Sequence, residues 1–127
     1  MKELLVMLAG VLVLFSCGKK AQPEADLFNQ AQQYEQAQNF SQALETYREI
    51  ANKYENSPNR YKAIFMTGYI QMEYLKDNKK AIESFDLLLE KYPNSDLADD
   101  AKALRDAAAS GKDMMSIIEN NTLPANK

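Results

Sequence analysis

Apolar residues recur at helical spacing along the middle of this chain, and the recurrence is itself repeated. Between Ser41 and Tyr54 they stand at Ala43, Leu44, Tyr47, Ile50, Ala51 and Tyr54. Between Lys79 and Tyr92 they stand at Ala81, Ile82, Phe85, Leu88, Leu89 and Tyr92, each 38 positions after its counterpart. Such a stripe lies on one face of an amphipathic helix. Asn39, with Gln42 three residues later, predicts an N-cap and capping box for the first of these helices, and Asp77 or Asn78 serves the second. Pro93 stops the second helix after Tyr92. Three further helices are predicted around them. One has Pro23 at its first position and runs to about Gln38, and one opens at Ser57-Pro58 and runs to about Leu75. The last follows Ser95, reaches about Ala109 and ends at Gly111.

The helix after Ser57 differs from the others. Tyr61, Ala63, Ile64, Phe65, Met66, Tyr69, Ile70, Met72, Tyr74 and Leu75 spread round nearly its whole circumference. A helix apolar on all sides has to be covered on several sides. These features predict an all-α protein of tandem antiparallel hairpins, with the apolar helix in the middle of the stack and the narrow-striped last helix (Leu97, Ala101, Leu104, Ala108) as its cap. Residues 111–127 form a tail. In it Met114, Met115, Ile117 and Ile118 suit either one helical turn docked on the stack or an adaptable recognition segment.

The pattern resembles the tetratricopeptide repeat. With Ala43 at the family's position 20, Leu27 takes position 4, Ala31 position 8, Tyr34 position 11 and Tyr47 position 24. In a second repeat Ile64, Gly68, Ala81, Phe85 and Pro93 take positions 4, 8, 20, 24 and 32, provided that the turn over Lys76–Lys79 carries one extra residue. Position 4 has no Trp, Gln71 replaces the aromatic at 11, and Ile50 and Leu88 replace the small residue at 27. The resemblance implies an α-solenoid of two repeats and a capping helix over residues 24–110. It also implies that a protein or peptide partner binds in the groove lined by the first helix of each repeat. The family's groove positions fall on Phe28, Gln32, Glu35 and Gln36, then on Phe65, Tyr69, Met72 and Glu73. Phe28 and Phe65 equally suit packing between neighbouring helices. The basic clamp of chaperone-binding members is absent from these positions.

The N-terminus carries a different signal. Leu4 to Phe15 is an unbroken apolar run, too short to span a bilayer but of the length of a signal-peptide core. It ends in Leu14-Phe15-Ser16-Cys17, holding the one Cys of the chain. This resembles the lipobox of bacterial lipoproteins, despite a bulky Phe15 and a weakly basic start. The resemblance implies a signal peptide over 1–16, cleavage after Ser16, and diacylglycerol with an amide-linked acyl chain such as palmitate on Cys17. Residues 17–23 would then be a lipidated linker, of which residues 18–23 reach at most roughly 20 Å when extended. Gly18, where Asp would favour inner-membrane retention, leans toward the outer membrane, facing the periplasm. Lys19 and Lys20 read equally as headgroup contacts or as a soluble linker.

Composition narrows the chemistry. There are 15 Lys plus Arg against 18 Asp plus Glu, a net charge of -3, which argues against a nucleic-acid partner. No His is present, so His-dependent triads and His-ligated zinc are excluded. Asp96, Asp99, Asp100 and Asp106 read as the solvated face of the last helix rather than as acid–base pairs. The expectation is a non-enzyme without cofactor or metal. A lipid-anchored repeat at the bacterial envelope resembles the outer-membrane assembly lipoproteins of the BamD type. It also resembles Tol-Pal-associated proteins of the YbgF type, which share the shapes Ala81-Ile82-x-x-Phe85 and Tyr92-Pro93-Asn94-Ser95. The reading is therefore a membrane-anchored periplasmic scaffold that binds a protein partner, in outer-membrane protein assembly or envelope maintenance. Its rival is a self-associating structural lipoprotein, since so few repeats leave an open end.

Overall fold

Local capping chemistry sets the helix boundaries. The computed structural model describes residues 22–112, which form α1 (Glu24–Gln36), α2 (Phe40–Lys53), α3 (Arg60–Glu73), α4 (Asn78–Lys91) and α5 (Ala98–Ala109). Cys17 with the segment before it, and the tail containing Met114 to Ile118, lie outside the described residues. Asn39 caps α2, its side chain accepting from the Gln42 amide at 3.4 Å and donating to Gln42 Oε1 at 2.5 Å. The reciprocal bond thus runs between side chains rather than back to the cap's own amide. At the matching place Asp77 caps α4, accepting from the Lys80 amide at 3.1 Å. That amide, with the Lys80 ammonium, holds the Asp77 carboxyl below the usual carboxylate range. The cap's contribution is present above the ordinary carboxylate pKa and is lost as pH falls through the lowered one.

The 38-residue register is visible in the backbone hydrogen bonds as well as in the side chains. Ser57 N–H donates to Tyr54 and Arg60 N–H to Ser57, while Ser95 N–H donates to Tyr92 and Ala98 N–H to Ser95. These turns correct the expectation that helices open at Ser57-Pro58 and directly after Ser95. The chain first makes a tight turn through Pro58, in which Ser57 Oγ accepts from the Asn59 amide at 3.0 Å. α3 and α5 then begin at Arg60 and Ala98. Pro suits such a turn for the same reason that it suits a helix start, its preset φ. The extra residue between α3 and α4 is also present. Three residues join α1 to α2, with Gln38 left-handed at φ 57°, whereas four join α3 to α4, with Lys76 left-handed at φ 54°. Gly111 (φ 70°) closes α5, with Gly111 and Lys112 amides donating to Ala108 and Ala107 in a Schellman pattern.

Consecutive helices pack as antiparallel hairpins, α1 on α2, α2 on α3, α3 on α4 and α4 on α5, with a lesser contact of α3 on α5. The resulting all-α solenoid is built on close approach. Ala31, Ala43, Ala63, Ala81 and Ala101 are fully buried, and Leu27, Tyr47, Ile50, Ile64, Ile70, Phe85 and Leu88 fill the space between them. Gly68 lets Phe85 pass so closely that a Cβ there would lie 2.8 Å from the ring. Gln71, at the position expected to be aromatic, is buried, and its amide bridges α3 to α4 through Ser84 Oγ at 2.7 Å and the Lys80 carbonyl at 3.0 Å. A buried polar side chain is tolerated when it is satisfied in this way. The tyrosines that close the second helices repeat a tie. Tyr54 donates to the Gln22 carbonyl, and Tyr92 meets the Arg60 guanidinium at 3.3 Å while that group also donates to the Ala51 carbonyl at 2.6 Å. Tyr74 and Leu75, expected among the covered residues of α3, are exposed at its C-terminal end, where Tyr74 stacks on Phe40 with ring centroids 3.6 Å apart.

Candidate partner-binding groove

α3 packs on α2, α4 and α5, and a cleft opens between it and α1. The cleft has a volume of about 400 Å³ and is lined by residues of both helices: Phe28, Gln32 and Glu35 from α1, and Lys62, Phe65 and Met66 from α3. Tyr47 closes the floor, and Asp96 and Leu97 come from the turn before α5. A shallower extension of about 310 Å³ continues past Phe28, Gln32 and Lys62 toward Ala25 and Asn59. The N-terminal halves of α1 and α3 therefore flank one end. At the other end the Glu35 carboxylate acts on the Tyr69 hydroxyl. The two helices run the same way, with a groove between them.

The floor is aromatic and held from behind. Phe28 meets Tyr47 edge-on with centroids 5.9 Å apart, and Phe65 meets Phe85 at 5.8 Å. Both phenylalanines thus rest on rings of the second helices rather than on each other, and both are half-buried. Burial pushes the Tyr47 hydroxyl well above the usual phenol range, and its hydrogen bond to Glu35 adds to the rise. Tyr69 is raised by burial first, then by Tyr74 and Glu73. Tyr61 is raised chiefly by its hydrogen bond to Asp96.

The expected groove residues divide. Phe28, Gln32, Glu35 and Phe65 line the cleft, and half-buried Tyr69 stands at its Glu35 end. Gln36 is exposed at the end of α1, outside the lining, and Glu73 stands beside Tyr69. Met72 is a correction. It is 1 % exposed and belongs to the core, because α3 is covered by three helices where α1 is open. Lys62, Met66, Tyr47, Asp96 and Leu97 were not anticipated. The first two were readable, since Lys62, Phe65, Met66 and Tyr69 follow i, i+3, i+4, i+7 on one face. Asp96, Asp99, Asp100 and Asp106 are all exposed. Among the described residues no group of three acidic, Cys or His side chains is placed to hold a metal ion.

The model of the tetratricopeptide repeat matches residues 27–57 and again residues 62–95, together more than half of the chain. The chain belongs to the tetratricopeptide repeat family. Its two matched repeats are the α1–α2 and α3–α4 hairpins, and α5 lies beyond them, packed on α4. No curated protein and no solved structure matches the chain. Membership of the BamD or YbgF type is accordingly not supported. Tetratricopeptide repeats are in general non-catalytic scaffolds for protein–protein contact.

Proposed function

We propose that this tetratricopeptide protein is a lipid-anchored adaptor of the bacterial cell envelope, tethered through Cys17 to the outer membrane and holding a protein partner in the α1–α3 groove on the periplasmic side. The observation that carries the reading is the cleft itself: an aromatic floor fixed by the core, with a few polar groups at its rim, which is the make-up of a peptide site. The anchor is supported by the apolar run and Leu14-Phe15-Ser16-Cys17. Among the described residues no helix is long and apolar enough to cross a membrane. A role in outer-membrane protein assembly or envelope maintenance follows from that address together with the scaffold.

Gln32 offers the cleanest test, because it lines the cleft yet is exposed, so that a bulky replacement fills the groove without entering the core. Gln32→Trp is expected to leave the melting temperature unchanged. It should lower the recovery of proteins co-purified with the tagged full chain from native membranes by about ten-fold or more, the effect of blocking a binding centre. Identical co-purified sets, quantified by mass spectrometry at equal bait, would contradict the groove.

A further inference from the structure

The groove has a charge that the fold does not use. Glu35 is only partly exposed, and one of its carboxylate oxygens is buried and meets no donor among the described residues. Tyr47 supplies a hydrogen bond to this carboxylate but no charge. Glu35 is in no ion pair among the described residues. Lys62, the cation of the lining, sits two helical turns from the Tyr69 end, about 10 Å along the axis at the usual rise per residue. It lies over the Tyr61 ring, 5.8 Å from the centroid. A carboxylate beside aromatic surface, with an oxygen shut off from water, is costly unless a cation meets it. The neighbouring surface, Phe28, Phe65 and Met66, is suited to the aliphatic stem that carries such a cation.

Resting on the groove reading above, we infer that the segment held in the α1–α3 cleft is a basic–apolar peptide, whose Lys or Arg reaches Glu35 while an adjacent large apolar side chain sits against Phe28, Phe65 and Leu97. Charge complementarity selects this occupant. An acidic peptide would place its carboxylate against Glu35, and a purely apolar one would leave the Glu35 carboxylate without a counter-charge.

The test is selection of random peptides displayed on phage against the detergent-solubilised full chain, followed by titration of the enriched peptides into wild type, Glu35→Gln and Gln32→Trp. The inference expects enrichment of Lys or Arg next to Leu, Ile, Phe or Met. It further expects Glu35→Gln to weaken those peptides by about ten-fold or more and to flatten the salt dependence of binding. Peptides that bind and are blocked by Gln32→Trp, but carry no basic residue or bind Glu35→Gln equally well, would overturn the inference and leave the groove standing. Binding unaffected by Gln32→Trp, or no enrichment over an unrelated bait, would overturn both.

Discussion

Gly68→Leu is expected to destabilise the protein by about 3 kcal/mol or more, read as a fall in the denaturant midpoint. The reason lies in one crossing. An ideal Cβ at Gly68 would stand 2.8 Å from Phe85 Cε1 and 3.0 Å from two further ring atoms. Phe85 is fully buried and backed by Phe65, so the ring has nowhere to withdraw. Even Gly68→Ala, which in an exposed helix would stabilise by about 1 kcal/mol through propensity, is expected to be destabilising here. Combining it with Phe85→Leu should cost less than the sum of the single changes, because the second change removes the obstacle that the first meets. An unaltered midpoint for Gly68→Leu would mean that α3 and α4 do not cross as described.

Cys17→Ala is expected to abolish membrane attachment. The expectation follows from the reading of Cys17 as the acylated residue, and its size comes from chain length. Each buried CH₂ contributes about 0.8 kcal/mol, so one chain alone binds reversibly whereas several anchor a protein stably. Removing all of them leaves nothing comparable in Lys19 and Lys20, each worth about 1 kcal/mol at an anionic surface. Fractionation of cells should find the wild type in the membrane at its processed size, and the variant uncleaved or soluble. A processed, membrane-bound variant would refute the anchor.

Much of the fold could be read because its signals are local. Asn39 and Asp77 cap the helices expected of them, and the stripes from Ala43 to Tyr54 and from Ala81 to Tyr92 fall on α2 and α4 in the same register. What was misread involves residues whose local preference fits two structures. Pro58 serves a turn as well as it serves a helix start, and the hydrogen bonds that decide between them reach back to Tyr54. Tyr74 and Leu75 lie past the point where α3 is covered, a matter of tertiary contact that periodicity does not contain. The groove divides in the same way. Phe28, Gln32, Glu35 and Phe65 lie where the repeat pattern puts them, but Met72, at the position matching Glu35, is buried by the helices packed around α3. Asp96 and Leu97 reach the cleft only because α5 folds back on α4, and no pattern within α1 or α3 announces them. Arg60, which ties α2, α3 and α4 together, likewise has no signature in a helical stripe.

The central claim is that the α1–α3 groove is the surface that meets a partner. Photo-crosslinking in native cells tests it most directly, with a crosslinking residue at Gln32 inside the groove and a control at Asp86, on the exposed face of α4 where it pairs with Arg105. The account predicts that a distinct protein is captured from position 32 and not from position 86, and that Glu35→Gln in the same chain reduces the capture. Capture from both positions alike, from 86 alone, or only of a second copy of this chain, would contradict it.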